Sequence, residues 1–245
     1  MNFRNLAVVL VLACCMNTVC FVAQVYGETN LDQIKRLSKL ASQAYTNNNI
    51  SRGDNFLDQA IDAAGRTLRS DKPSSFGEYP HILGSYMLLV MKKVNAKVAE
   101  KRKGQAVKAG MEGLSILEGV IAQLRDDNLG LIKDVTKGYM RILDRVVLAE
   151  MSLGGERKAV ELMERGMDIH GQLMGQIHQS IMIGEIVQKY NRLGKKLVKY
   201  YLGLGHKQRA VKLVENAIGV LTSNLGSDHQ TVKAYEKYLE NLRKK

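Results

Sequence analysis

The sequence predicts an all-α protein in which a helical hairpin is used about four times, and three observations predict it. Through the body of the chain, apolar residues recur at three- and four-residue spacing rather than in alternation. The two prolines, Pro73 and Pro80, fall in one expected loop, and there is no tryptophan. Glycines recur with near-constant spacing: Gly53, Gly104, Gly154 and Gly205 lie 51, 50 and 51 residues apart. A second series, each glycine preceded by a large apolar residue, lies between them, in "FGEYPHIL" at Phe76, "LGLIKDV" at Leu129, "MGQIHQSI" at Met174 and "LGSDHQTV" at Leu225. One glycine is expected to end the first helix of each hairpin in the left-handed conformation, and the other to end the second.

Ahead of the hairpins, residues 1–27 read as a secretory signal. Arg4 supplies a positive start, Leu6 to Met16 an apolar stretch, and Val25-Tyr26-Gly27 a small-residue cleavage site, so the mature chain is expected to begin near Glu28. The rival is an uncleaved membrane anchor over Leu6 to Val25, interrupted by Asn17 and Thr18. A lipoprotein signal is weaker, because Leu12 is large for a residue so close before Cys14. All three cysteines, Cys14, Cys15 and Cys20, lie in this segment, which excludes a disulfide-stapled module. Residues 28–245 form the expected repeat domain, held by apolar packing, and contain no second apolar run long enough to span a membrane. They keep a formal charge of about +11, which suits an anionic partner.

In the first hairpin, Tyr45 is expected to end one helix and Phe56 to open the next, leaving "TNNNISRGD" as a polar loop. That loop holds Asn49-Ile50-Ser51, an N-glycosylation acceptor, followed by Arg52-Gly53-Asp54, the tripeptide that integrins bind in matrix ligands. The competing account is a capped turn. Ser51 and Asp54 have the spacing of a capping box with a shorter acid, and Asp54 alone is a good N-cap.

The later hairpins carry a resemblance. "LAEMSLGGERKAVELMERGMDI" and "LVKYYLGLGHKQRAVKLVENAIGVLTSNLGSDHQTV" are similar to tetratricopeptide repeats of the kinesin light chain variety, with its Leu-Gly-x-x-His loop. Gly154 and Gly205 match the turn glycine, and Ala159 and Ala210 the small residue where paired helices touch. Gly166 and Ala217 match the second small position, Ile169 and Val220 the apolar residue after it, and His178 and His229 the loop histidine. The match covers residues 146 to 232. Residues 31 to 145 carry only Ala60 and Ala109 near the packing position. The resemblance implies a right-handed α-solenoid of about four stacked hairpins whose first helices line a concave groove for an extended peptide or a partner helix, and it names no ligand.

Catalytic signatures are missing. The mature chain has no thiol, no H-E-x-x-H, no Walker loop and no Gly-x-Ser-x-Gly elbow, so no enzyme activity and no cofactor are expected. "GLGHKQ" at Gly203 lacks the third glycine of a nucleotide loop and joins helix to helix. His170, His178, His206 and His229 have no zinc-like spacing, and "RDDNLG" at Arg125 suits a helix cap better than a calcium loop. Met151, Met163, Met167, Met174 and Met182 suit the seams between helices, or an adaptable apolar surface.

The basic residues cluster. Lys92, Lys93, Lys101, Arg102 and Lys103 form one group, and Lys195, Lys196, Lys199, Lys207 and Arg209 another about two repeats later. If both project on related sides they make a positive ridge for a polyanion, a sulfated glycan outside the cell, while nucleic acid is disfavoured by the signal and the scarcity of aromatics. The bland account is a solvated face with cations near helix C-termini. The expected function is therefore a secreted, non-catalytic repeat scaffold that binds a protein or peptide in its groove. Its rivals are a glycan-binding or adhesion protein and an enzyme without a recognisable motif.

Overall fold

The computed structural model describes residues 29–73, 76–177 and 180–244. The signal-peptide and anchor readings, the three cysteines and His178 lie outside these residues. All regular structure among them is helical: α1 (Asn30–Thr46), α2 (Ile50–Ser70), α3 (Tyr79–Ala99), α4 (Lys103–Ile121), a 3-10 turn (Asp126–Asn128), α5 (Leu129–Met151), α6 (Glu156–Gln176), α7 (Ser180–Gly203), α8 (Lys207–Leu225) and α9 (Gln230–Lys244). No helix among them is long and apolar enough to cross a membrane. The chain forms two compact units, one up to Ala63 and one from Ala64 onward.

In the first unit, Thr29 caps α1 by accepting from the Asp32 amide at 3.2 Å. Leu31, Ile34, Leu37, Ala41 and Ala44 form the buried stripe of α1, at the three- and four-residue spacing that put them on one face. The turn into α2 takes only Asn47 to Asn49, so the long loop expected over "TNNNISRGD" is not there and Arg52-Gly53-Asp54 lies in the first turns of α2. The chain can reverse so tightly because Asn48 takes the left-handed conformation (φ 59°), which asparagine tolerates better than most side chains.

In the second unit, helices adjacent in sequence pack as hairpins, α3 with α4, α5 with α6 and α7 with α8, and α9 lies along α8. First helices also pack on first helices (α3 on α5, α5 on α7), and second on second (α4 on α6, α6 on α8), as a helical repeat requires. Pro80 sits in the first turn of α3 rather than in the loop, where its missing N–H costs nothing. The 3-10 turn is set by Asn128, whose Oδ1 accepts from the Arg125 amide and whose Nδ2 donates to the Pro73 carbonyl, both at 3.2 Å.

One backbone device turns every hairpin, although its sequence changes. The left-handed residues are Asn48, Lys101, Gly154 and Gly205. In each case the next amide reaches back five residues: Asn49 to Ala44, Arg102 to Lys97, Gly155 to Glu150 and His206 to Tyr201, at 2.8 to 2.9 Å. The left-handed residue itself donates three residues back, to Tyr45, Val98, Met151 and Leu202. This pair of bonds is the Schellman motif. Thus Gly154 and Gly205 stand where expected, but Gly53 and Gly104 do not end helices. Of the second series, Gly77 and Gly226 have positive φ, whereas Gly130 and Gly175 lie within α5 and α6.

Counting from the turn restores the two hairpins that looked irregular. Five residues on stand Gly53, Ala106, Ala159 and Ala210, and seven beyond those Ala60, Gly113, Gly166 and Ala217, all of them buried. Ala106, not Ala109, therefore holds the packing position of the second hairpin, and Gly53 is its counterpart in the first. Side chains are a methyl group or none here because helices touch: a β-carbon on Gly113 would stand 2.5 Å from Val90. Met163, Met167 and Met174 are buried as seam fillers, with 3%, 4% and 2% exposure.

Candidate functional site

Exposed cations recur at one repeat position on the first helices of the second unit. Nine residues before the turn stand Lys92 of α3, Arg145 of α5 and Lys196 of α7, all exposed. The equivalence expected for Lys92-Lys93 and Lys195-Lys196 is thus real but one residue out of step. Lys93 corresponds to the fully buried Leu197 and is itself half-buried.

The element between the two expected clusters contributes most. On α5, Lys133, Lys137, Arg141 and Arg145 recur every fourth residue along one exposed stripe. Like charges at this spacing destabilise a helix by about 0.2 to 0.5 kcal/mol per pair. Lys133 is relieved by Glu185 of α7 at 3.4 Å. Asp144 is held by Arg192 and Lys196 of α7, at 2.5 and 2.6 Å, and these bridges tie α7 to α5. Among the described residues, Lys137, Arg141 and Arg145 have no ion-pair partner. Lys189 of α7, which burial and the charges of Lys133 and Lys137 push below the usual lysine range, adds to the same field, with Glu185 opposing the shift. The regular i, i+4 recurrence of cations was in the sequence; what hid it was the interleaved acids Asp134 and Asp144, of which Asp144 is consumed by α7.

The other candidates separate from this face. Lys101, Arg102 and Lys103 sit at the second hairpin turn, Arg102 paired with Glu100 at 3.3 Å. Lys207 and Arg209 begin α8 at the fourth turn, where Lys207 donates to the Arg243 carbonyl at 3.3 Å. The third turn, between them, carries Glu156 and Glu161 beside Arg157 and Lys158, so acids interrupt the run of cations from turn to turn. A cleft of about 830 Å³ near the third and fourth turns has an acidic wall and a basic wall. Its acids are engaged: Tyr201 donates to Glu164 at 2.6 Å, Tyr200 to Glu156 at 3.1 Å, and Arg157 pairs with Glu161 at 2.9 Å. Lys195 and Lys199 line a different groove, between α7 and α9.

Arg52-Gly53-Asp54 is built into packing. The Tyr45 hydroxyl donates to Asp54 at 2.8 Å, the Arg52 guanidinium lies 5.4 Å over the Phe56 ring, and buried Gly53 touches Tyr45. The N-cap of α2 is Asn49, whose Oδ1 accepts from the Arg52 amide at 3.2 Å, rather than Ser51 or Asp54. Asn49 is exposed, as a glycan acceptor must be.

His170 is buried, donates through Nδ1 to the Gly166 carbonyl at 2.7 Å and meets the Tyr139 ring edge-on. His206 precedes α8, and His229 accepts from the Thr231 amide through Nδ1 at 3.2 Å. Among the described residues no three His, Cys, Asp or Glu side chains stand close enough to hold a metal ion.

No family model and no curated protein matches the chain. Solved helical arrays do. The de novo designed helical repeat protein DHR64 is 16% identical over 88% of this chain and 98% of its own, with a TM-score of 0.38. A circular tandem repeat protein of novel repeat topology is 12% identical over 88% of this chain and 58% of its own, with a TM-score of 0.41. The nuclear import adaptor Nro1 of S. pombe is 11% identical over 88% and 92%, with a TM-score of 0.26.

Proposed function

We propose that the chain is a secreted, non-catalytic helical-repeat scaffold of tetratricopeptide type, and that its first helices bind an acidic segment of a partner protein. The observation that carries this reading is the α5 stripe of Lys137, Arg141 and Arg145, three exposed like charges that repel one another and lack ion-pair partners among the described residues. Lys92 and Lys196 stand at the repeat position of Arg145, Lys196 sharing Asp144 with Arg192, so α5 supplies the unpaired cations that an extended acidic chain meets. Such a surface steers and orients an anionic partner.

The same cations favour a second reading, a sulfated glycan, and one experiment separates them. A fluorescein-labelled peptide of aspartate and glutamate and a heparin oligosaccharide of equal charge are titrated into the full chain by fluorescence polarisation and by competition. Arg141→Glu with Arg145→Glu is expected to weaken the peptide at least tenfold, because two attractions become repulsions. Reversal of Lys35 and Lys72, which lie elsewhere, is expected to change it less than threefold. Equal losses in the two variants would reduce the surface to net charge, and heparin binding without peptide binding would establish the glycan reading.

A further inference from the structure

The groove between α7 and α9 is chemically unlike the cationic face. Helix α9 lies along α8 and leaves the flank of α7 uncovered, opening a space of about 770 Å³ whose floor includes Val214 of α8. That volume lies within the range of small-molecule sites. Its only charged lining residues are Lys195 and Lys199, with no acid among them. Leu202 and Tyr238, on its rim, are large apolar side chains left 40% and 43% exposed.

Polarity changes along the groove. Helices α7 and α9 both pack against α8, each running antiparallel to it, so they are parallel and their residues can be read in step. At one end stand Asn191, Lys195 and Tyr235, the Tyr235 hydroxyl lying 3.1 Å from where a β-carbon on Gly194 would be. The Asn191 Oδ1 and the Tyr235 hydroxyl are both buried there and find no hydrogen-bond partner among the described residues. Toward the other end the lining becomes Val198, Leu202 and Tyr238, with the exposed Lys199 at its edge. Buried polar atoms cost free energy unless something bonds to them. Here they adjoin a cation at one end of an apolar trough. Tyr235, which burial and Tyr238 push up to about 12, keeps its proton and can donate it.

We propose that this groove binds a single-chain fatty acid, with its carboxylate at Lys195 and Tyr235 and its hydrocarbon chain along Val198 to Leu202. The Lys195 ammonium and the Tyr235 hydroxyl match a carboxylate, which accepts hydrogen bonds from both. From Lys195 to Leu202 the α7 wall measures about 10 Å at 1.5 Å per residue, so the tail of an acid of about twelve carbons lies along this wall and reaches past Leu202. A peptide strand fits less well, because its backbone groups need partners all along and the apolar end supplies none.

Dodecanoate below its micelle concentration, titrated calorimetrically into the full chain, is expected to bind one to one. Dodecyltrimethylammonium, with an equal tail and the opposite charge, is expected not to bind. Lys195→Glu with Lys199→Glu, two exposed surface changes, should weaken dodecanoate at least tenfold, and Ala234→Trp should block the groove. Arg141→Glu with Arg145→Glu should leave dodecanoate binding within twofold, so the site stands or falls independently of the acidic-partner reading. The proposal is overturned if the folded parent protein does not bind dodecanoate, if the cationic amphiphile binds as well, or if the lysine reversals change affinity less than twofold.

Discussion

The Tyr45 ring packs against Gly53 so closely that a β-carbon there would stand 2.7 Å from two ring atoms, and the ring is held in place by its hydroxyl bond to Asp54. Alanine fills the same repeat position in the other three hairpins, so the constraint comes from Tyr45 and not from the position itself. Gly53→Ala should therefore cost about 1 to 3 kcal/mol despite alanine's better helix propensity. Tyr45→Ala should remove most of that cost, and a double-mutant cycle in urea melts tests it. Strictly additive effects would show that the two residues do not meet.

Ala210, fully buried five residues after the fourth turn, has the same position as Ala106. Ala210→Leu and Ala106→Leu should each cost about 1 to 3 kcal/mol by overpacking, whereas Ala109→Leu, at 7% exposure, should cost less than Ala106→Leu. Equal urea midpoints for the Ala106 and Ala109 variants would refute the register.

Burial holds His170 down to about 4, with the Lys189 charge acting in the same direction and the Gly166 bond opposing it. The unfolded chain, with an ordinary histidine near 6.5, takes up its proton first. Stability from this residue is therefore complete above about pH 6.5 and is lost as the pH falls toward 4, by about 3 kcal/mol in all. The equivalent residues, Leu117 and Leu221, are equally buried. His170→Leu should make the protein progressively more stable than its parent as the pH drops through that window. A stability difference that stays constant from pH 7 to 4 would count against the assignment.

Asn49 caps α2 and is also the asparagine of the sequon Asn49-Ile50-Ser51, and the cap can be separated from any use of the sequon. Asn49→Asp keeps a capping oxygen and removes the acceptor, so in a glycosylating host it should lower the mass while leaving stability within about 0.5 kcal/mol. Asn49→Ala should remove both, at a cost of about 1 kcal/mol. Equal masses for the parent and both variants would show that the acceptor is not used.

On α5, Arg141→Glu should raise stability by up to about 1 kcal/mol, since the repelling neighbours Lys137 and Arg145 become attracting ones and outweigh the new repulsion from Asp144 three residues on. It should weaken acidic-peptide binding at the same time. Urea melts at low and high salt check the first part, and the gain should shrink in high salt.

The helical class and the hairpin period were legible in the sequence because apolar spacing and turn glycines encode them locally. The third and fourth hairpins were read in register because Gly154 and Gly205 fill the left-handed position. The first two were not, because Asn48 and Lys101 meet the same backbone demand at higher cost while glycines nearby serve other ends. Gly53 reads as a turn residue until Tyr45 is placed beside it. The α5 cations were spaced for a single face, yet only the bridges to Glu185 and Asp144 show which charges are consumed and which remain. The groove beside α7 depends on how α9 lies along α8, a relation between distant segments that no local pattern records.

The four identical turns bear on how such a chain can change length. Because the reversal is fixed by two backbone hydrogen bonds and tolerates asparagine, lysine or glycine at its centre, each stretch of about fifty residues carries its own closure. Duplication or deletion of one such stretch would therefore keep a complete turn on either side of the change.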